Sequence, residues 1–193
     1  MSAAGQGSGA MRRRALAASV ALILLAGLTG CVAPSGSHVS NSAPQNGIES
    51  NDEGPARPGG AVPVTVDSVT DGDTLRVTDG VGTSARVRLI GVDTPEAGNS
   101  TECYAAEATG RLMELAPVGA KLWATTDNEK TDPYGRLLLY LWTSDGTFIN
   151  FTLVAEGYGT ALMVPPNDRY YPVLRHAEAL AGVSGLGLWG MCP

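Results

Sequence analysis

Between Arg86 and Glu96 the chain reads RVRLIGVDTPE. This is an alternating strand that carries two arginines and releases Asp93, the Thr94 carbonyl, Pro95 and Glu96 at its exit. Hard oxygen donors at a strand end suit a hard cation, and guanidinium groups beside them suit an anion with paired oxygens. Asp71-Gly72-Asp73-Thr74 opens an earlier alternating run, Leu75-Arg76-Val77-Thr78, and Gly80-Val81-Gly82-Thr83 joins the two runs as a hairpin. Centring that hairpin near Thr83 sets Leu75 against Gly91, Val77 against Leu89 and Asp79 against Val87, with the apolar residues on one face. The same register sets Asp73 directly opposite Asp93. Like charges opposed across a ladder repel, so the arrangement makes most sense with a cation between them. Two carboxylates and a backbone oxygen, with no His or Cys nearby, favour calcium over zinc. Arg88 and Asp93 are five residues apart and would point to opposite faces of an ideal strand. A bulge or sharp bend is therefore predicted at Ile90-Gly91.

Blander readings compete with this one. Asp71-Gly72 alone could be a turn, and Asp93-Thr94-Pro95-Glu96 imitates a helix start. The residues that follow, Ala97-Gly98-Asn99-Ser100-Thr101, would not continue a helix. His176 stands on a predicted helix without a Cys, Asp or second His at catalytic spacing, which argues against a histidine-based nuclease or phosphodiesterase.

Taken in order, DGDT, RVRLIGVDTPE and DPYGR (residues 132–136) resemble the staphylococcal nuclease (thermonuclease) family of secreted calcium-dependent nucleases. The resemblance runs from about Val64 to Trp189. It implies that Asp73 and Asp93 ligate Ca2+ with their carboxylates and Thr94 with its carbonyl, and that Asp71 orients water at the metal. Glu96 fits the position of a water-activating base. Arg88 and Arg136 would be the two catalytic cations: a guanidinium donates two hydrogen bonds to adjacent phosphoryl oxygens and keeps its proton. Tyr134 would contact the terminal nucleotide. The chain departs from the family's archetype in two places, with Pro133 where the archetype has a lysine and Met163-Val164-Pro165 where it has tyrosines. Tyr158, Tyr170 and Tyr171 are alternatives for the missing stacking.

The elements that must hold these residues read as strands at 64–70, 73–79 and 84–92, a helix over 102–115 with Ala105, Ala108, Leu112 and Leu115 on one face, and strands at 121–126 and 136–142. Two helices follow, one over 150–156 capped by Asn150 and one over 168–181 capped by Asp168. This order predicts an α+β, mainly β fold, a five-stranded OB barrel with three helices, whose open face accommodates oligonucleotides. Trp123, Trp142 and Trp189 are expected to pack rather than to stack on bases.

Residues 1–31 read as an export signal: Arg12-Arg13-Arg14, an apolar run from Ala15 to Gly27, and a small-residue exit at Leu28-Thr29-Gly30-Cys31. The exit resembles a bacterial lipoprotein signal, with Cys31 lipidated as the mature N-terminus and an ordinary cleaved signal as the alternative. From Val32 to Ala61, 17 of 30 residues are Gly, Ser, Pro or Asn. That composition predicts a disordered tether, and such a chain spans about 30 Å on average. Residues 62–193 then form one domain. With Cys31 consumed by lipidation and the compartment oxidising, Cys103 and Cys192 are expected to form a disulfide.

Charge sharpens the functional question. From residue 62 onward nine Lys and Arg stand against 16 Asp and Glu, a formal net of −7. Most sequence-independent nucleic-acid binders are basic, because phosphate neutralisation supplies their affinity. A polyanion must here be attracted locally, by a metal ion and a few arginines. The expected function is a calcium-dependent nuclease acting on DNA or RNA outside the cytoplasm, leaving 3′-phosphates, as a monomer secreted or anchored by lipid to the outer face of the cytoplasmic membrane. The alternatives are a catalytically silent OB-fold nucleic-acid-binding lipoprotein, which would not need Glu96 and two arginines around an acidic pair, and an envelope adapter, which the motifs do not support.

Overall fold

The computed structural model describes residues 54–98 and 101–193. The signal segment, Cys31 and residues 32–53 of the expected tether lie outside them. Five strands close into a barrel in the order β1-β2-β3-β6-β5, where β1 is Val62–Val69, β2 Thr74–Asp79, β3 Ser84–Leu89, β5 Lys121–Thr125 and β6 Leu137–Trp142. The β3–β6 pair is parallel and the other pairs are antiparallel. A two-residue strand β4 (Val92–Asp93) pairs with β7 (Thr160–Ala161) outside the barrel. Helices α1 (Ala105–Leu115), α2 (Ile149–Ala155) and α3 (Tyr171–Ser184) pack around it, and a short α4 (Leu188–Met191) follows. The expected α+β OB barrel is the fold observed.

Period-two alternation explains why the strands stand where they do. Leu75, Val77, Val87 and Leu89 are buried while Arg76 and Arg86 face water, and each such side chain removed from water contributes about 1.5–3 kcal/mol. The core continues through Leu112, Leu122, Leu141, Trp142, Phe148 and Leu153. On α1 the buried residues are Ala105, Ala108 and Leu112, the stripe expected from the helical period.

The register of the first hairpin differs from the expected one. Leu75 faces Val87, Arg76 faces Arg86 and Thr78 faces Ser84, an offset of four residues. The turn closes early because the Asp79 carboxylate accepts the Val81 and Thr83 N–H groups at 3.0 and 2.8 Å, while the Asp79 N–H donates to the Thr83 carbonyl. An even shift leaves the buried face unchanged, since strand side chains alternate with a period of two. It does move Asp93 away from Asp73: the Leu89 N–H donates to the Asp73 carbonyl, and Asp93 lies beyond the ladder on β4. The bend at Ile90-Gly91 is present. β3 stops at Leu89, and Gly91 adopts φ +79° where a Cβ would meet Leu174.

Both expected helix caps are corrected. Asn150 lies inside α2, fully buried, and spends its amide on tertiary bonds: Oδ1 accepts the Leu141 N–H at 3.0 Å, and Nδ2 donates to the carbonyls of Ile90 (2.9 Å) and Leu139 (3.3 Å). α3 begins three residues after Asp168, whose carbonyl accepts the Tyr171 N–H at 2.9 Å while its side chain makes no cap. The expected tether also ends earlier than Ala61. Gly54 and Pro55 are buried, the Pro55 carbonyl accepts the Trp142 indole N–H at 3.0 Å, and the Arg57 guanidinium sits 4.1 Å above the Trp123 ring. A disulfide joins Cys103, ahead of α1, to Cys192.

Candidate active site

Asp73 enters the site from the turn before β2. The Asp71 carboxylate accepts the Asp73 N–H at 3.2 Å, so Asp71 shapes the turn beside it. Gly72 lets that turn press against Thr94 and α1, where a Cβ would come within 2.6 Å of Thr94 Oγ1 and 2.8 Å of Ala108 Cβ. Asp73 is 1% exposed, and both oxygens of its carboxylate are bonded. Oδ1 accepts from Thr74 Oγ1 and from the Arg88 guanidinium; Oδ2 accepts from the Thr94 N–H and Oγ1 at 3.0 and 3.1 Å. Burial pushes its carboxyl up to about 6, against the opposing pull of Arg88 and the Thr94 N–H.

Arg88 binds both aspartates. One terminal nitrogen meets Asp73, and the other donates to Asp93 Oδ1 at 2.8 Å and to the Val92 carbonyl at 3.1 Å. The two carboxylates that the hairpin arithmetic set face to face instead share one guanidinium. Asp93 is half-exposed, and its side chain serves Arg88 rather than a helix N-terminus; 94–98 contains no helix.

β3 and β6 pair in parallel with Arg88 beside Leu138. Arg136 lies just ahead of β6, two residues before Leu138, and lines the same cleft as Arg88. Its Nε donates to Asp132 Oδ2 at 2.6 Å and its N–H to Asp132 Oδ1 at 2.9 Å, leaving both terminal nitrogens without a partner among the described residues. Burial works to raise the Asp132 carboxyl, but the bonds from Arg136 and the Tyr134 N–H hold it below the usual range. Tyr134 is 82% exposed with its ring 5.6 Å from the Arg136 guanidinium. A cleft of about 350 Å³ is lined by Arg88, Glu96, Tyr134 and Arg136 together with Ile90, Leu138, Leu162 and Val164. Glu96 stands on its rim, exposed, with its backbone tied to Glu102.

The oxygen donors fit a hard cation. Asp73 and Asp93 converge on a single positive group, and the carbonyl of buried Thr94 accepts no hydrogen bond among the described residues. Among those residues no three His, Cys, Asp or Glu side chains cluster as ligands, so an ion here would rely on backbone and water oxygens for the rest of its coordination, as calcium commonly does.

None of the three alternative tyrosines lines the cleft. Tyr158 stacks on Tyr104, and Tyr170 packs edge-on against Tyr140, Trp142 and Phe148. Sequence reasoning also passed over the apolar wall and two polar residues of the cleft, Glu129 and Asn167. No local motif marks them, because only the approach of distant loops brings them to it.

A closed five-stranded barrel with acidic and guanidinium groups lining one cleft defines an OB-fold protein. The family model for staphylococcal nuclease homologues matches residues 86–191. A thermonuclease of Staphylococcus intermedius is 36% identical over 126 residues, 64% of this chain and 74% of that protein. Two Bacillus subtilis proteins, the SPbeta prophage-derived endonuclease YokF and endonuclease YncB, are 34% and 35% identical over 132 residues. The match takes in 66% of this chain in both cases, but only 44% and 62% of those proteins, less than two thirds of their length. The chain belongs to the staphylococcal nuclease family.

Proposed function

We propose that this protein is a calcium-dependent nuclease that hydrolyses phosphodiester bonds of DNA or RNA outside the cytoplasm and leaves 3′-phosphates. The observation that carries the reading is the cleft that Arg88 and Arg136 line together with Glu96 and Tyr134, Arg88 being bonded in turn to the carboxylates of Asp73 and Asp93. Relatives named thermonuclease and endonuclease support the chemistry.

Each residue has a task its surroundings suit. Arg136, anchored through Nε, offers its free terminal nitrogens to adjacent phosphoryl oxygens, and Arg88 supplies the second guanidinium. Glu96, on the rim, is placed to take a proton from an attacking water, and the P–O5′ bond breaks. Asp73, Asp93 and the Thr94 carbonyl would hold calcium, which when bound neutralises charge on the phosphoryl group. Asp71 keeps Asp73 in place through the turn. Tyr134 offers an exposed ring to the nucleotide at the cleft mouth. Lipidation at Cys31, with the preceding signal, would hold the enzyme at the outer face of the cytoplasmic membrane. Among the described residues no helix is long and apolar enough to cross a membrane.

The deciding experiment digests single- and double-stranded DNA and RNA with calcium or with EDTA, followed by end-group analysis. Calcium-dependent cleavage leaving 3′-phosphates is expected. Binding of the same substrates without cleavage would favour the silent OB module.

A further inference from the structure

The cleft contains a carboxylate for which phosphodiester hydrolysis has no use. Glu129 lines it together with Ile90, Leu138, Leu162 and Val164, and its carboxylate has no hydrogen-bond or charged partner among the described residues. Its backbone is held twice. Asn167, only 4% exposed, accepts the Glu129 N–H through Oδ1 at 2.7 Å and donates from Nδ2 to the Glu129 carbonyl at 2.9 Å. The neighbouring residues are stitched as well: Asn128 Nδ2 donates to the Pro166 carbonyl at 2.6 Å, and the Asp127 carboxylate accepts from the Tyr140 hydroxyl and the Arg169 N–H at 3.1 and 3.0 Å. Glu129 thus presents an exposed, unpaired carboxylate from a twice-held backbone at a cleft whose lining includes these apolar side chains.

A negative charge there repels the phosphates of any nucleic acid, so it weakens binding unless another part of the nucleotide supplies donors to it. The part that suits apolar side chains is the base. A carboxylate presents two acceptors side by side. Guanine alone among the common bases answers with two parallel donors, N1–H and N2–H, on its pairing edge. Adenine and cytosine place a ring acceptor next to their single amino group, and uracil and thymine flank one N–H with two carbonyls, so each of these sets a lone pair against the carboxylate. We propose that Glu129, positioned by Asn167, is a specificity-determining residue that selects guanine at one subsite of the cleft. This rests on the nuclease reading above for its role in cleavage, though not for the binding itself.

The test uses the full chain and its E129Q and E129A variants in two assays. In the first, a random single-stranded oligonucleotide pool, whose base edges are unpaired and accessible, is digested with calcium and the new ends are sequenced. In the second, GMP, AMP, CMP and UMP are titrated onto each protein by calorimetry. A bidentate pair discriminates by about tenfold. Guanine should therefore be enriched by about that factor at one fixed position from the cut, and GMP should bind tighter than AMP by a similar ratio. Both ratios should collapse towards one in E129Q, which trades one acceptor for a donor, and in E129A. A flat base profile in the wild-type protein, or a profile and nucleotide ranking unchanged in E129Q, would overturn the assignment. A protein that cuts nothing yet prefers GMP through Glu129 would sink the nuclease reading and leave the guanine site standing. A protein that cuts without base preference does the reverse, and one that shows neither removes both.

Discussion

Replacing Arg88 by Met keeps the length of the side chain but takes from Asp73 the one cation it touches among the described residues. Asp73 is 1% exposed, so its charge would be stranded in the protein interior with only the N–H and hydroxyl groups of Thr94 and Thr74 for company. Removing one partner from a buried ion pair costs about 3 kcal/mol or more, which for a domain of this size lowers the melting temperature by roughly 10 °C. Asp93 is half-exposed, and its bond to Arg88 is worth at most about 1 kcal/mol, so Asp93→Asn should be nearly as stable as wild type. The ranking runs opposite to what two repelling aspartates would produce, since relief of repulsion would make Asp93→Asn the stabilising change. Thermal and urea melts in EDTA at pH 8 measure these values. Adding Asp73→Asn to Arg88→Met should recover most of the loss by removing the stranded charge. Acidification gives an independent check. Burial pushes Asp73 up to about 6 from an ordinary 3.8, so between those values the folded protein holds more protons than the unfolded chain, and this group's contribution to stability falls as pH rises through that window, by about 3 kcal/mol in all. Asp73→Asn should lack that slope. An Arg88→Met protein as stable as wild type at pH 8, or one that Asp73→Asn fails to rescue, would refute the picture of a buried carboxylate held by one guanidinium.

Calcium should raise the melting temperature of Arg88→Met more than that of wild type, because the ion restores the missing positive charge; equal shifts would argue against Asp73 and Asp93 as its ligands. Arg136→Lys should lose at least about two orders of magnitude in turnover, about 3 kcal/mol, while melting within a few degrees of wild type, since a point charge cannot replace the fork; near-normal turnover would remove Arg136 from the mechanism. Opening the disulfide by Cys103→Ser with Cys192→Ser releases a loop spanning 89 residues and should cost about 4.6 kcal/mol in the chain-entropy account, read by urea unfolding. Asn150→Ala leaves the Leu141 N–H and the Ile90 carbonyl without their partner and should destabilise by about 3 kcal/mol; a loss below about 1 kcal/mol would show that water replaces the amide.

Much of the site was legible because strand parity is legible. The alternation in RVRLIGVDTPE placed Val87 and Leu89 on the core face and Arg88 on the opposite one whatever the register, and the glycine at 91 marked the bend that turns Asp93 towards Arg88. The offset of the hairpin was not legible, because it depends on the Asp79 side chain closing the turn, and a shift of four residues leaves the apolar pattern intact. Asn150 and Asp168 have the residue types and positions of helix caps, yet tertiary demand decided where Asn150 went: three backbone groups of β6 and the β3 exit need its amide. Composition alone made 54–61 look like tether, since nothing local shows that Trp142 and Trp123 lie waiting for the Pro55 carbonyl and the Arg57 guanidinium.

The parallel pairing of β3 with β6 has a kinetic consequence. β1, β2 and β3 follow one another as neighbours and can zip together from their turns, whereas the seam between β3 and β6 must wait for the intervening chain to be laid down, at the entropic cost of a long loop. Arg88 stands in β3 beside that seam and Arg136 just ahead of β6, and both line the cleft. The cleft should therefore come into being with the last closure of the barrel, so that a partly folded chain has no site with which to cut. A phosphodiester gripped by both arginines would act as a clasp, and amide hydrogen exchange across Val87–Leu89 and Leu137–Leu139 should slow when a nucleotide is bound.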